Sequence, residues 1–244
     1  MSELVQLLER RRSDRMFSIV TRTWNPVTGC FHNCTYCWAR RLAETKLRHT
    51  KRYKYGFMIR LNESEFKKRF KRNEIVFVSD MGDLFGDFIP TTWILKVLER
   101  TRRFPDTWFL FLTKNPKRYH YFLDHFPEKA LLGATIETNL DPLYSEYEIS
   151  RAPKPSERYG AMAKLNWDFK FISIEPILEF ELDGFVSWIR EIKPRLVFIG
   201  YDNYNNRLPE PTLSETLELI EKLKCTTLVI EKTIRKAWYE GDQT

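Results

Sequence analysis

The sequence lacks any apolar run that approaches the roughly 18 residues needed to cross a bilayer. Its N-terminal stretch is charged, at Arg10, Arg11 and Arg12, rather than resembling a secretion signal. These two absences argue against a membrane protein and against export. We therefore expect a cytoplasmic protein without a membrane partner, in a compartment that keeps thiols reduced.

Low-complexity tracts, Gly/Ser linkers and repeats of fixed sequence are also missing. The chain therefore offers no boundary at which to divide it, and 244 residues suffice for one sizeable core but are short for two. Its 43% hydrophobic and 30% charged residues are typical of a globular protein. We expect a single domain over residues 1–244, and a monomer.

Cysteine is scarce, with four in the chain, but three of them lie together. Cys30, Cys34 and Cys37 have the spacing C-x3-C-x2-C, so three thiolates can converge from one short loop on a single inorganic centre. Three cysteines on a four-iron cluster leave one iron open for a small ligand, whereas closed iron–sulfur and structural zinc sites use four protein ligands. The alternative is a zinc site completed by His32, by Cys225 or by a residue elsewhere. Otherwise we expect His32 to point outward and Cys225, beside an apolar run, to be an inert core thiol.

Strand-like and helix-like segments alternate along the chain. Short, continuous apolar runs of the kind buried on both faces of a sheet are separated by amphipathic helical segments. We predict strands at 18–23, 74–79, 108–113, 131–136, 169–174, 196–199 and 226–230, and helices at 37–49, 91–103, 117–125, 156–165, 185–192 and 213–223. This alternation favours right-handed parallel βαβ units. The predicted fold class is α/β, a parallel (β/α) barrel, partial or complete, with about six to seven β/α units.

Positive charge is concentrated in one segment. Residues 40–72 contain 13 Lys or Arg against three acids, a balance of +10 in a chain whose net charge is +7. Interleaved with these cations are five aromatic residues, Tyr53, Tyr55, Phe57, Phe66 and Phe70. Cations for phosphates and aromatic faces for bases suit a nucleic-acid partner, RNA or DNA. The alternative is a solvated charged face whose aromatics point to the core. We expect a basic insertion at about residues 50–73.

Polar residues follow the predicted strands, where a barrel places its active site. Ser79 ends the second strand and Asp80 follows it, although Asp80 could instead cap the next turn. Lys114 follows the third strand, where it can pair with a phosphate or a carboxylate or else extend into solvent. Glu137 follows the fourth strand, which predicts a place for it in the same site.

Glu175 and Gly200 directly follow the fifth and sixth strands. An unpaired carboxylate in an apolar run is costly to bury, so Glu175 requires a cation such as Lys114, Arg22 or the amino group of a ligand. Gly200 permits the close approach of a ligand because it has no side chain. Glu231 and Lys232, after the last strand, are weaker candidates for the site.

The loop from Cys30 to Cys37 resembles that of radical S-adenosylmethionine (SAM) enzymes, with Tyr36 in the aromatic position of their C-x3-C-x-aromatic-C motif. The resemblance implies a [4Fe–4S] cluster on Cys30, Cys34 and Cys37, with SAM bound at the open iron. It implies that an electron from the cluster cleaves SAM to a 5′-deoxyadenosyl radical, which takes a hydrogen atom from the substrate. A donor such as a ferredoxin or flavodoxin would supply the electron.

The same resemblance implies contacts for the cofactor. The end of the second strand, Ser79 and Asp80, corresponds to the place that holds the SAM amino group, although this chain lacks the usual Gly-Gly-Glu-like pattern there. Glu137 is positioned like the residue that binds the ribose hydroxyls, and Gly200 lies where backbone groups meet the adenine. Glu175 would help to bind SAM. Asp80 and Lys114 would face the substrate as catalytic residues.

Four motifs in order resemble a smaller radical SAM-like family of phages and microbes, whose members are of unknown function. They are Trp24-Asn25-Pro26-Val27-Thr28-Gly29-Cys30, Asp80-Met81-Gly82-Asp83-Leu84-Phe85, Leu112-Thr113-Lys114 and Ser173-Ile174-Glu175-Pro176. This resemblance supports the fold and the cofactor but names no substrate.

Three functions follow from these patterns. The first is a radical SAM enzyme that modifies or repairs a nucleic acid, tRNA or DNA, because the cysteine loop and the basic segment occur together. The second keeps the radical chemistry and acts on a peptide or a small metabolite. The third is a non-catalytic, metal-stabilised nucleic-acid-binding module.

Overall fold

The structure, a computed structural model, describes residues 17–241. The N-terminal arginines Arg10, Arg11 and Arg12 lie outside the described residues. No helix within 17–241 combines the length and the apolar content that crossing a membrane requires.

Strands and helices alternate within the described residues. The strands are β1 (Arg22–Trp24), β2 (Val27–Thr28), β3 (Arg60–Leu61), β4 (Ile75–Val78), β5 (Trp108–Thr113), β6 (Ala130–Thr135), β7 (Lys170–Ile174), β8 (Leu196–Ile199) and β9 (Leu228–Glu231). The helices are α1 (Trp38–Glu44), α2 (Thr91–Arg102), α3 (Pro142–Glu146), α4 (Pro155–Ala163), α5 (Leu182–Ile192) and α6 (Leu213–Lys224). Three short 3₁₀ helices lie at Glu63–Lys67, Pro116–Tyr121 and Leu123–His125.

Seven of the strands form one parallel sheet in the order β1-β4-β5-β6-β7-β8-β9. The order follows the chain apart from the small antiparallel pair β2–β3, in which Val27 faces Leu61. Strands β4, β6, β7 and β8 are buried along their whole length, as expected for a parallel sheet covered on both faces. The predicted α/β class with a parallel β/α sheet is confirmed.

Several predicted elements differ from those observed. The first strand begins at Arg22 rather than at residue 18, because the chain makes a turn in which the Val20 N–H donates to the Phe17 carbonyl. The helix predicted at 117–125 is two 3₁₀ helices. Helix α4 begins at Pro155, not Ser156, and the Glu157 carboxylate accepts from the Lys154 N–H.

The burial of two side chains differs from the prediction. Cys225 is exposed at the end of α6, because it is the residue on which the helix stops and lies beyond the buried stripe. His32, in contrast, is buried, and its carbonyl accepts from the Arg151 N–H at 2.6 Å. The predicted core position of Cys225 and the predicted outward direction of His32 were therefore wrong.

The described residues divide into two compact units. The first contains the residues up to Cys30, Ala39–Leu112 and Tyr121–Leu131. Its core includes the fully buried Trp24, whose indole N–H donates to the Glu65 carbonyl at 3.0 Å and whose ring contacts Phe66, Phe70 and Phe109 edge-on or tilted. Aromatic residues of the basic segment thereby belong to the core of this unit.

The second unit contains Phe31–Trp38, Thr113–His120 and the residues from Leu132 onward. One of its apolar clusters is formed by Leu143, Tyr144, Ile149, Leu178 and Leu208, with Tyr36 and Leu140 packed against it. Tyr36 is thereby anchored by packing as well as by its hydroxyl group. The single domain over 1–244 stays a prediction.

Candidate functional site

The cysteines of the motif lie between β2 and α1. Cys30, Cys34 and Cys37 are half-buried and, like Cys225, are not joined in a disulfide. In the first unit Gly29 precedes Cys30 with a φ of +87°, and a Cβ at Gly29 would lie 2.3 Å from the Met58 carbonyl oxygen. In the second unit the Cys37 N–H donates to the Cys34 carbonyl at 3.2 Å. The loop therefore needs glycine at its start and closes with a turn before α1.

The chemistry of this donor set fits an iron–sulfur cluster. Thiols that are reduced and half-exposed can bind iron as thiolates and can be reached by it. Within residues 17–241, however, no group of three or more His, Cys, Asp or Glu side chains is arranged so that it could hold a metal ion. The residue types therefore fit a cluster, whereas the described side chains are not gathered around a metal position.

A neighbouring segment of the second unit holds the cysteine loop in place. The Thr35 N–H donates to the Ile149 carbonyl at 3.0 Å, and the Arg151 N–H donates to the His32 carbonyl at 2.6 Å. Between these bonds Ser150 Oγ lies 3.2 Å from Cys34 Sγ. Ser150 was not predicted from the sequence, because a serine in a loop carries no signal of its own.

A buried carboxylate, Glu137, lies at the centre of a polar network in the second unit. One of its oxygens accepts from the Tyr36 hydroxyl and from Lys114 Nζ, which is 2.7 Å away. The other accepts from the Tyr144 hydroxyl and from Arg158, both at 2.7 Å. Four donors therefore saturate a carboxylate that has no exposed surface.

Arg158 is itself fully buried and makes further bonds. Its guanidinium donates to the Pro153 carbonyl at 2.8 Å, to the Thr135 carbonyl at 2.7 Å and to the Tyr144 hydroxyl. Arg158 was not predicted from the sequence, because it follows Ser156 and Glu157 on a helix and resembles a surface charge. The only sequence feature that pointed to such a residue was Glu137, because a buried carboxylate requires a cation.

These contacts shift the ionisation of the network. Burial alone would raise the pKa of Glu137, but Arg158 and Lys114 outweigh it and hold that pKa well below its ordinary value. Burial and the neighbouring Glu137 carboxylate raise the pKa of Tyr36, so its phenol stays protonated. Glu137 is therefore a charged acceptor that fixes a neutral tyrosine of the cysteine loop.

The four donors around Glu137 compete with the ribose contact expected for this carboxylate. A ribose hydroxyl would have to displace one of the four donors to reach the carboxylate. Lys114 is the most accessible of the network's cations, with a side chain 13% exposed. Its Nζ also lies 5.1 Å from the centre of the Tyr36 ring.

A second carboxylate, Glu175, pairs with a different cation. Lys232, which follows β9, donates to both of its oxygens. A Cβ at Gly200 would lie 3.1 Å from Lys232 Cβ and 3.2 Å from the Thr233 nitrogen. The missing side chain of Gly200 therefore makes room for the chain's own residues after β9. The cation in contact with Glu175 is therefore Lys232, which the sequence offered only as a weaker candidate for the site, and not Lys114 or Arg22, which were considered as its partners.

Ser79 and Asp80 lie in the first unit, directly after β4. Ser79 has a φ of +57°, and its hydroxyl is buried without a hydrogen-bond partner among the described residues. The Asn25 side chain links this turn to β1, because it donates to Asp80 and accepts from the Met81 N–H at 3.0 Å. A strained backbone and an unsatisfied buried hydroxyl are features of functional sites.

The basic segment, residues 40–72, is partly neutralised within the first unit. Glu65 is buried and pairs with Arg52 and Lys68, each at 2.7 Å. Three of the five aromatic residues, Tyr53, Phe57 and Phe70, are also buried, so the core-facing alternative holds for them. Tyr55 is 68% exposed and lies beneath Lys54 Nζ at 4.5 Å from its ring centre.

The sequence matches the model of one protein family over residues 16–189, and that family is described as Protein of unknown function (DUF5131). No curated protein matches the chain at a significant level.

Among solved structures, spore photoproduct lyase complexed with dinucleoside spore photoproduct is 13% identical and has a TM-score of 0.55, covering 84% of this chain and 62% of that one. A double variant of the same enzyme, with bound AdoMet and dinucleoside spore photoproduct, is 15% identical with a TM-score of 0.55, covering 93% and 71%. Streptococcus suis SuiB bound to the precursor peptide SuiA is 12% identical with a TM-score of 0.52, covering 86% and 48%.

These neighbours are radical SAM enzymes, and the chain shares their α/β fold. At such low identity the likeness is one of fold. The chain also spans less than two thirds of the length of the spore photoproduct lyase in the complex with dinucleoside spore photoproduct.

Proposed function

Because the chain belongs to the DUF5131 family of unknown function, its chemistry has to be inferred from its own residues, and we propose that it is a radical SAM enzyme. Cys30, Cys34 and Cys37 would hold a [4Fe–4S] cluster whose open iron binds SAM. The observation that carries this proposal is a C-x3-C-x2-C set of reduced thiols in a chain that shares the parallel sheet of radical SAM enzymes. When bound, the cluster would supply the electron for reductive cleavage of SAM to the 5′-deoxyadenosyl radical.

The chain's own residues would orient the cysteine loop and bind the cofactor. Glu137 would fix the loop because it accepts a hydrogen bond from the Tyr36 hydroxyl. The carboxylate is itself held in place by four donors and has no exposed surface. The hydroxyl of Ser79 and the carboxylate of Asp80 would meet the SAM amino group in the first unit. In the second unit Glu175 would contribute to the SAM site.

Lys114 and Asp80 would face the substrate. Lys114 pairs with Glu137 at 2.7 Å and retains an exposed edge, which suits it to an anionic group. Gly200 would serve the site indirectly, since the space at its Cβ is occupied by Lys232 and Thr233.

For the substrate we favour a nucleic acid, RNA or DNA. The net charge of +7, the balance of +10 in residues 40–72 and the exposed Lys54–Tyr55 pair support it. The spore photoproduct lyase structures, which carry a dinucleoside lesion, agree with this choice.

A peptide substrate is the second candidate, because SuiB shares the fold and binds a precursor peptide. Phosphate contacts are strongest at low salt, so undetectable RNA and DNA binding at low ionic strength would favour the peptide. An electron donor such as a ferredoxin or flavodoxin, a cytoplasmic location and a monomeric state complete the proposal.

Anaerobic reconstitution with iron and sulfide tests the chemistry. We expect a brown protein with about four irons per chain that forms 5′-deoxyadenosine from SAM when dithionite is added. Cys34→Ala should lose the iron and the product, while the matched control Cys225→Ala, which changes an exposed cysteine outside the loop, should keep both. A colourless protein that binds one zinc would overturn the proposal.

A further inference from the structure

Ser150 presents a hydroxyl group to the sulfur of Cys34. Its Oγ lies 3.2 Å from Cys34 Sγ and 3.1 Å from the His32 carbonyl oxygen. It also accepts a hydrogen bond from the Ala152 N–H at 3.1 Å. A serine hydroxyl has one hydrogen to donate, so the carbonyl and the sulfur compete for it.

The His32 carbonyl does not depend on that hydrogen. It also accepts from the Arg151 N–H at 2.6 Å, and this bond remains if the Ser150 hydroxyl turns away. A buried carbonyl that keeps one donor is satisfied. The hydroxyl can therefore rotate toward the sulfur without leaving an unpaired backbone group behind.

The state of the sulfur decides which way the hydroxyl points. A thiol can donate weakly to Ser150 Oγ, which leaves the serine hydrogen for the His32 carbonyl. A thiolate bound to a metal can only accept, so the serine hydrogen then has a charged acceptor at 3.2 Å. Iron binding would thus convert Ser150 into a donor to Cys34.

The backbone holds the two groups in this position. The Thr35 N–H donates to the Ile149 carbonyl at 3.0 Å, and together with the Arg151–His32 bond it brackets the Ser150–Cys34 contact. Both side chains are half-buried, which limits competition from water.

We propose that Ser150 is a positioning residue that donates a hydrogen bond to the Cys34 thiolate and raises the reduction potential of the cluster. The inference rests on the proposed function. Reduction adds negative charge to the cluster and its sulfurs, and a hydrogen bond to a ligand sulfur stabilises that charge. Ser150 therefore makes the cluster easier to reduce.

The test uses the isosteric pair Ser150→Thr and Ser150→Val in the reconstituted full chain. The two variants have the same shape and differ in the hydroxyl group, so their difference reports the hydrogen bond. The reduction potential is measured by EPR at a series of solution potentials, together with the iron content. The exposed Ser145, which bonds to Lys154 in the same part of the chain, provides the control Ser145→Ala.

We expect all variants to bind iron as the unchanged protein does. At a fixed solution potential, the ratio of reduced to oxidised cluster should be about tenfold lower in Ser150→Val than in Ser150→Thr, equivalent to about 59 mV for one electron. Ser145→Ala should leave the ratio unchanged.

Equal ratios in the Thr and Val variants would overturn the role of Ser150 and leave the proposed function standing. Loss of iron from both variants would also overturn it, since a residue that tunes a sulfur should not be needed for assembly. An unchanged protein that binds no cluster would overturn the proposed function, and this inference with it.

Discussion

Two glutamates of the second unit, Glu137 and Glu175, follow neighbouring strands and both face cations, yet their pKa values move in opposite directions. Glu137 has no exposed surface, and four donors outweigh its burial, which holds its pKa below the ordinary value. Glu175 has a side chain 11% exposed and pairs with Lys232. There burial raises the pKa, and Lys232 offsets the effect only in part.

The number and kind of partners explain the difference. A carboxylate loses its hydration when it is buried, and one ammonium group returns only part of that free energy. A guanidinium, an ammonium and two phenols around Glu137 return more, because each oxygen accepts two hydrogen bonds. A buried glutamate thus stays ionised when its partners saturate it.

The two glutamates should also differ in their roles in the protein. The saturated Glu137 fixes Tyr36 of the cysteine loop, while the less saturated Glu175 can still accept a bond from a ligand. We therefore expect Glu137 to support structure and Glu175 to respond to ligands and to pH.

Breaking the Glu137 network should give the largest effect. Arg158→Met leaves the buried Glu137 with one cation fewer, and removing one partner from a buried ion pair costs about 3–5 kcal/mol. The free energy of unfolding, measured with urea, should fall by that amount.

The matched control is Arg103→Met, whose partner Glu99 lies on an exposed helical face. An exposed pair contributes little, so the control should change stability far less. Equal effects in the two variants would contradict the importance of the buried network.

The Glu175–Lys232 pair should tolerate the loss of its cation better. Lys232→Met leaves Glu175 with its pKa already raised, so the carboxylate can take up a proton instead of staying charged. We expect a loss of about 1–3 kcal/mol in the free energy of unfolding, smaller than for Arg158→Met. A loss as large as that of Arg158→Met would show that the two pairs are equivalent.

The sequence was sufficient to predict the sheet and the cysteine loop. Buried parallel strands are continuous apolar runs, and β5 and β8 were predicted with their observed bounds. Boundaries were less certain where tertiary contacts or turns decide them, as at β1, where a turn at Phe17 and Val20 replaces the predicted start of the strand.

The partners of the site residues could not be predicted in the same way. Arg158 is on a helix and Lys232 follows a distant strand, and only the fold brings each to its glutamate. Ser150 is more than one hundred residues from Cys34 and carries no motif. Residue types and spacing identify donors in one loop, whereas pairs across elements need the packed structure.

The last prediction sharpens the comparison through pH. For Glu175 the folded pKa lies above the ordinary 4.5, so between 4.5 and the raised value the folded state binds a proton that the unfolded state has lost. Stability therefore falls as pH rises through that window, by up to about 1.4 kcal/mol per pH unit, and Glu175→Gln should abolish this part of the dependence. Urea unfolding from below pH 4.5 to neutrality measures it, with the exposed Glu146→Gln as control. If the unchanged protein instead gained stability over Glu175→Gln as pH rose, the ion pair with Lys232 would outweigh burial, and Glu175 would behave like Glu137.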